Sequence, residues 1–186
     1  MKNYSICIIK ESTNTMAQAA KILLESMQDA EMWPDLDKDG AMETVNESIN
    51  DENICIGIKA NDELIGWVTL TPMYEKTWEL HPLAISPKYK NKGYGKILME
   101  ELEKLAREKG IIGIWLSSGD ETNKTSLSEV EITEKNIFEE IKNIKNLKKH
   151  PYEFYIKCGY IIIGIVTNAY GSKKSDIVLW KDIRKK

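Results

Sequence analysis

A glycine-rich loop with three lysines is the stretch of this chain best suited to chemistry. It spans residues 90–96 and reads Lys-Asn-Lys-Gly-Tyr-Gly-Lys, with an amphipathic segment directly after it. Gly93 and Gly95 lack a Cβ atom, so their amides can come close to a bulky anion. A helix that begins here directs its positive dipole end and its first N–H groups toward the same point. The loop is therefore suited to a pyrophosphate group.

The spacing in this loop differs from both common nucleotide-binding motifs. No Gly-Lys-Ser/Thr occurs, so it is not a Walker A loop, and the third glycine of a dinucleotide fingerprint is missing. The alternative interpretation is a tight strand-to-helix turn with solvated lysines. A wider pattern, Leu83-x-Ile85-x-Pro87 followed by Lys90-x-x-Gly93-x-Gly95, extends the motif into the preceding segment.

That preceding segment carries two side chains that can exchange protons. Glu79 and His81 are two residues apart in the predicted strand 77–85, so both should project from one face. The alternatives are a solvated carboxylate on an edge strand and a core histidine with satisfied hydrogen bonds. Both alternatives stay open at this point.

The elements that position these residues follow the order β-α-α-β-β-β in the first half of the chain. Residues 4–10 predict a strand, and Thr13 or Asn14 is a candidate cap for the helix that follows. Trp33 precedes Pro34, which favours extended geometry in a loop. A helix is predicted over 39–49, then strands over 54–59, 64–70 and 77–85, with a hairpin turn at 61–62. This order excludes a doubly wound nucleotide fold.

The second half begins with the helix after the glycine-rich loop. Its apolar spacing covers 94–109 and Gly110 ends it, after which 111–116 predicts a buried strand. Residues 117–149 are polar and highly charged, with helical spacing from Ile137 to Leu147. A further helix should run from Pro151 to Gly159, and the final strands, 160–166 and 176–180, should form a hairpin.

Length and composition limit the possible classes. The 186 residues predict one domain, 1–186, with 117–149 as an insertion within it. A net charge of −3 argues against nucleic acid as a partner. The three cysteines are dispersed without metal-ligand spacing, which indicates free thiols in a reducing cytoplasm and no metal site. No leader and no apolar run of ~18 residues is found, so we expect no membrane association.

Several motifs together resemble a known family. The loop fits Gln/Arg-x-x-Gly-x-Gly/Ala with Lys90 in the first place, and 154–160 resembles the motif Phe-Tyr-x-x-x-Gly-Phe/Tyr. Both are typical of the GNAT N-acetyltransferase superfamily. More narrowly, Trp-Glu-Leu-His-Pro-Leu at 78–83, Thr-Ser-Leu-Ser at 125–128 and His-Pro-Tyr-Glu-Phe-Tyr at 150–155 resemble aminoglycoside 6′-N-acetyltransferases.

The resemblance implies an α+β fold with a mixed central β-sheet flanked by helices. The fourth and fifth strands of this sheet would splay apart and admit the pantetheine arm of acetyl-CoA, the implied co-substrate. It also implies a possible homodimer. The implied cofactor-binding residues are Leu83, Ala84, Ile85, Lys90, Asn91, Lys92, Gly93, Tyr94, Gly95 and Lys96.

The implied reaction moves an acetyl group to the 6′-amine of an aminoglycoside by direct attack, as in antibiotic resistance. Glu79 would act as the base, directly or through water, His81 would assist, and Tyr155 would protonate the leaving thiolate. A polycationic acceptor needs an acidic site with a flat wall for a sugar. The implied substrate-binding residues are Trp33, Asp35, Glu79, Asp120, Glu121 and Asp176.

Two other functions stay open, the first of them because of a departure from the family pattern. Relatives commonly carry Gly-Thr-Asp-Asp where this chain has Ser117-Ser118-Gly119-Asp120, so Gly119 replaces an acidic residue. The acceptor could therefore be a different amine, such as a polyamine or a peptide. A non-catalytic acyl-CoA-binding module is the third possibility, and the presence of Glu79 and Tyr155 speaks against it.

Overall fold

The structure is a computed structural model that describes residues 4–9 and 12–184. These residues divide into two compact units. The first contains 4–9, 12–29, 33–114 and 183–184, and the second contains 30–32 and 115–182. The prediction of one domain with an insertion stays a prediction. Among the described residues, no helix is both long enough and apolar enough to cross a bilayer.

The first half of the chain has the predicted order of elements. Its strands are β1 (Tyr4–Ile8), β2 (Ile54–Ala60), β3 (Glu63–Thr71) and β4 (Thr77–Ile85), and its first helices are α1 (Thr13–Ala30) and α2 (Lys38–Ser48). Each strand pairs antiparallel with the next, in the order β1-β2-β3-β4. Lys10, the predicted end of β1, lies outside the described residues.

Two turns in this unit follow directly from their sequences. Asn61 and Asp62 join β2 to β3 with φ values of 51° and 64°, which confirms the hairpin and matches a turn with two left-handed residues. Asp37 caps α2, since its side chain accepts a hydrogen bond of 2.8 Å from the amide of Gly40.

A bulge interrupts the pairing of β3 with β4. Leu80 pairs with Leu70 and Leu83 pairs with Val68, so two residues of β4, His81 and Pro82, stand opposite one residue of β3. Proline cannot donate a ladder hydrogen bond, which is why it is found at such irregularities. The bulge lies within the segment that carries the proton-exchanging side chains.

The long helix α3 (Tyr94–Glu108) buries one face and ends at Gly110. The amide of Gly110 donates to Arg107 O (2.9 Å) and that of Ile111 donates to Ala106 O (3.0 Å), with φ of +78° at Gly110. This is a Schellman termination. It uses Ile111 to close the helix, so β5 runs from Gly113 to Gly119 instead of the predicted 111–116.

The charged insertion forms less helix than its spacing predicts. The helix α4 covers only Ile137–Lys142. The following residues pair with an earlier segment instead: Leu147 N donates to Lys124 O (2.8 Å), and Ser126 N donates to Lys145 O (3.0 Å). These hydrogen bonds compete with the helix and end it early.

The chain closes with the predicted helix and hairpin. The helix α5 (Tyr152–Lys157) follows Pro151, and β6 (Ile161–Val166) pairs antiparallel with β7 (Asp176–Asp182). The predicted fold class is confirmed, because seven mostly antiparallel strands form a mixed sheet flanked by helices. The splay of β4 from β5 stays a prediction.

Candidate active site

In the first unit, Glu79, His81 and Trp33 form what we call the β4 cluster. The rings of Trp33 and His81 lie 5.1 Å apart between centroids, tilted by 30°. Partial desolvation lowers the pKa of His81, while the negative charges of Glu79 and Glu47 act in the opposite direction. At neutral pH the imidazole of His81 is therefore mainly uncharged. The structure thus places three predicted site residues on or beside the bulged strand.

Trp33 reaches His81 with a backbone conformation that the sequence did not predict. Pro34 favours extended geometry for the residue before it, but Trp33 has a φ of 49°, in the left-handed region. This conformation is uncommon for a bulky residue and is held by its surroundings. A hydrogen bond of 2.9 Å from Leu36 N to Trp33 O closes the turn. Asp35, another predicted substrate residue, is exposed in the same turn.

The glycine-rich loop has the geometry of an anion cradle. Gly93 precedes α3 with a φ of 89°, and no side chain among the described residues caps the helix there. A Cβ atom at Gly93 would meet no protein atom within 4 Å. This open space beside the first turn of a helix fits a pyrophosphate group, because the helix dipole and its first amides favour negative charge there.

The lysines of the loop contact protein groups in this structure. The ammonium group of Lys90 donates to Ser26 O (3.1 Å) and to Asp29 Oδ2 (2.8 Å). That of Lys92 donates to Lys88 O (2.6 Å), and Lys96 lies 3.8 Å from Glu100. Lys90 therefore links the loop to the end of α1. Contacts of Lys90, Asn91, Lys92, Tyr94, Gly95 and Lys96 with a cofactor stay a proposal.

In the second unit, Tyr155 lies on the short helix α5, packed against other aromatic rings. Its ring centroid is 5.2 Å from Phe154 and 6.0 Å from Tyr160, both in edge-to-face arrangements. Burial strongly raises the pKa of the Tyr155 phenol. The group therefore keeps its proton across the usual assay range, which is the form a general acid requires.

Asp120 has a structural environment that differs from the predicted contact with an acceptor. Its carboxylate accepts hydrogen bonds from Lys124 N (2.5 Å), Thr125 N (3.0 Å) and Thr125 Oγ1 (2.7 Å), and only 1% of the residue is exposed. These bonds fold the loop after β5. A direct contact between Asp120 and an acceptor stays a prediction. In the structure, its carboxylate instead forms hydrogen bonds within the loop.

His150 joins the end of β5 to the start of α5. Its Nδ1 accepts from the amide of Tyr152 (3.2 Å), so the proton of the neutral ring lies on Nε2, 3.0 Å from Gly119 O. Burial lowers the pKa of His150 and favours the neutral form. The ring thereby fixes the helix that carries Tyr155.

The other predicted acids of the second unit are partly accessible. Glu121 and Asp176 are half-buried, and the nearby hydroxyl groups of Ser117 and Tyr170 act to lower the pKa of Asp176. Burial nevertheless raises the pKa of Asp176. Their contacts with an acceptor stay a proposal.

Sequence reasoning overlooked three residues of the second unit. His150 belongs to the motif at 150–155 without a role of its own, and neither Tyr170 nor Lys124 is among the predicted site residues. Lys124 is buried and bridges to Glu31 (3.0 Å), and its ammonium group also donates to Ala30 O. A lysine in a polar loop is normally expected to be exposed, so the sequence does not indicate that Lys124 is buried. Only the Thr-Ser-Leu-Ser motif beside it pointed to this region.

Comparison with known proteins identifies the family. The sequence model of the acetyltransferase (GNAT) family matches residues 19–128, which is more than half of the chain. The chain belongs to the GNAT acetyltransferase family. This GNAT enzyme is an acetyl-CoA-dependent N-acetyltransferase. A search of curated proteins finds no match.

Solved structures refine the comparison. The chain is similar to an aminoglycoside 6′-N-acetyltransferase complexed with coenzyme A, with 34% identity, a TM-score of 0.87, and coverage of 96% of this chain and 97% of the other. It is similar to the aminoglycoside 6′-N-acetyltransferase from Enterococcus faecium, with 33% identity, a TM-score of 0.85 and the same coverage. An aminoglycoside 6′-acetyltransferase type Ii matches at 29% identity with a TM-score of 0.71 over 96% and 97% of the two chains.

Proposed function

We propose that this GNAT enzyme acetylates the 6′-amine of an aminoglycoside by direct attack of the amine on acetyl-CoA. The observation that carries the proposal is the likeness to two aminoglycoside 6′-N-acetyltransferases at 33–34% identity over nearly the whole of both chains. The β4 cluster supports it, because it supplies a carboxylate and a neutral imidazole on the strand that leads to the glycine-rich loop, with an aromatic surface beside that strand.

The reaction requires the acceptor amine to lose a proton before it attacks. An amine of this kind is protonated at neutral pH, so a base must take that proton. Glu79 is the proposed base, directly or through water, and the mainly uncharged His81 assists it. Carboxylates attract the remaining ammonium groups of the acceptor, and those proposed are Asp35 in the first unit and Glu121 and Asp176 in the second.

The departing thiolate requires a proton donor. Tyr155 is proposed for this role because it holds the tyrosine position of the motif at 154–160 and its phenol is protonated near neutral pH. The proton would pass from the Tyr155 oxygen to the sulfur as the bond from sulfur to the acetyl carbon breaks. Peptide amides near Leu83, Ala84 and Ile85 would hold the pantetheine arm of acetyl-CoA, and the loop at Gly93 would hold its pyrophosphate.

One observation favours a different amine as the second candidate. Gly119 stands where relatives commonly have an acid, and the Tyr170 ring fills the space beside it. A polyamine or a peptide amine could then be preferred over an aminoglycoside.

Thiol release from acetyl-CoA with a panel of acceptors separates these possibilities. The panel contains an aminoglycoside with a 6′-amine, a linear polyamine and a peptide with a free amino terminus. We expect the highest kcat/KM for the aminoglycoside. A higher value for either of the others would replace the proposed acceptor, and no release with any amine would favour a non-catalytic acyl-CoA-binding module.

A further inference from the structure

The end of β5 has no room for a side chain at position 119. A Cβ atom there would lie 2.6 Å from Cε2, 2.9 Å from Cζ and 3.1 Å from the hydroxyl oxygen of Tyr170. Such distances are far inside normal van der Waals contact. The ring of Tyr170 therefore occupies the volume that a side chain at Gly119 would need.

A closed loop holds Tyr170 in this position. Tyr170 N donates to Lys174 O (3.1 Å), and Lys174 N donates to Gly171 O (3.0 Å). The amide of Lys173 donates to Asn168 Oδ1 (2.8 Å). These hydrogen bonds lie within the loop between β6 and β7, and 43% of Tyr170 stays exposed. The ring is thus close to Gly119 while the residue remains partly open to solvent.

The hydroxyl group of Tyr170 lies near the carboxylate of Asp176. A phenol oxygen carries two lone pairs, so it can accept a hydrogen bond from a donor on another molecule. Burial and the charges of Asp176 and Glu121 raise the pKa of Tyr170 to about 12, and the phenol is protonated near neutral pH. The Oδ1 atom of Asp176 is buried without a hydrogen-bond partner among the described residues. A carboxylate with incomplete pairing is stabilised when a cation approaches.

We infer that Tyr170 is a specificity-determining residue for the amine acceptor, which it contacts through its hydroxyl oxygen and the exposed part of its ring. The inference rests on the proposed function and extends it, because it names a residue that selects among acceptor amines. The chemistry fits a cationic acceptor with a second ammonium group: the phenol oxygen accepts its hydrogen bond, the ring face attracts its charge, and Asp176 adds a carboxylate.

The first test compares Tyr170→Phe with Tyr74→Phe. The first change removes the hydroxyl but keeps the ring over Gly119, and the second makes the same change at an exposed tyrosine of the first unit. The KM for the acceptor and that for acetyl-CoA are measured separately by thiol release, with the amine that the unmodified enzyme uses best. We expect Tyr170→Phe to raise the acceptor KM about 10- to 100-fold, the range for one hydrogen bond to a charged group. The KM for acetyl-CoA should change less than about two-fold, as should both values in Tyr74→Phe.

A second test uses the lack of space between Gly119 and the Tyr170 ring. Gly119→Ala should displace the ring and raise the acceptor KM as Tyr170→Ala does. The double variant should show little further effect, because the two changes remove the same contact. Unfolding midpoints close to that of the unmodified enzyme would separate this result from a general loss of structure.

Two outcomes would overturn the inference without touching the proposed function. One is an unchanged acceptor KM in both Tyr170→Phe and Gly119→Ala, with aminoglycosides still acetylated. The other is an equal rise in the KM values for acceptor and acetyl-CoA, which indicates a structural role. If a polyamine is the best acceptor and Tyr170→Phe raises its KM, the proposed aminoglycoside function fails while the inference stands.

Discussion

Individual ionisable residues in this enzyme have surroundings that decide their protonation. Desolvation lowers the pKa values of His81 and His150, so near neutral pH the imidazoles are mainly uncharged. Burial raises the pKa of Tyr155, whose phenol is protonated at neutral pH with or without this shift. These are the states that an acid and two neutral hydrogen-bonding groups require. Asp176 differs, because its burial penalises the charged form that would attract a cationic acceptor.

We predict that Asp176→Asn raises the stability of the enzyme and lowers its activity. The folded-state pKa of Asp176 is raised, so its carboxyl contributes most favourably to stability below the ordinary value of 3.8, and this contribution is lost as pH rises through the raised pKa. The variant should therefore gain stability relative to the unmodified enzyme between about pH 4 and pH 7, while its acceptor KM rises. Urea unfolding at both pH values measures the difference.

The control for this prediction is Asp51→Asn, which removes a carboxylate at an exposed position. The groups that face Asp176 are the hydroxyls of Ser117 and Tyr170 and the neutral His150, and an asparagine oxygen can still accept from the two hydroxyls. Lower stability of Asp176→Asn at pH 7, with the same difference at pH 4, would contradict the assigned cause.

At the scale of elements, α3 offers a matched pair of glycines for testing the cofactor loop. Gly93 precedes its first residue and Gly110 follows its end, both with positive φ and both with open space where a Cβ would stand. Valine at either site should cost about 1–2 kcal/mol in backbone strain. Only Gly93→Val should also weaken acetyl-CoA binding, on the order of 10-fold or more, because its side chain would fill the anion cradle.

Calorimetric titration of acetyl-CoA into both folded variants measures this difference. Equal affinities of Gly93→Val and Gly110→Val for acetyl-CoA would contradict the proposal that this loop binds the pyrophosphate. The two variants are well matched, because the two glycines flank the same helix and valine causes the same kind of backbone strain at each.

Hydrophobic periodicity and turn residues predicted most elements, since these signals are local. The β2–β3 hairpin, the full extent of β4 and the position of α3 were all correct. The errors have non-local causes: the Schellman termination took Ile111 from β5, and pairing of 145–148 with 124–126 shortened α4. The bulge at His81 and Pro82 was signalled only by a proline in a strand.

The site was predictable where motifs carry it and not where it depends on contacts between distant segments. Glu79, Tyr155 and the glycine-rich loop were found from short patterns. The family resemblance also implied that Gly119 departs from the usual pattern, but nothing nearby in the sequence indicated its surroundings. In the structure, the ring of Tyr170 from a loop much later in the chain fills the space beside Gly119, and no local pattern reports such a contact.

At the scale of the whole molecule, the likeness to aminoglycoside 6′-N-acetyltransferases extends along nearly the full chain. The net charge of −3 also suits a polycationic acceptor, since exposed carboxylates attract it over about a Debye length of ~8 Å. In contrast to this likeness along the chain, the departure from the family pattern at Gly119 concerns a single position. Acceptor choice is therefore the property of the enzyme that most needs a direct measurement.

The most direct measurement compares two kanamycin-type aminoglycosides that differ only at the 6′ position, one with an amine and one with a hydroxyl group. Thiol release from acetyl-CoA is followed at equal concentrations, and the acetylated product is located by NMR. The account predicts rapid release with the 6′-amine compound, acetylation at that nitrogen, and a rate near background with its hydroxyl counterpart. Equal rates with both compounds, or an acetyl group on another nitrogen, would contradict it.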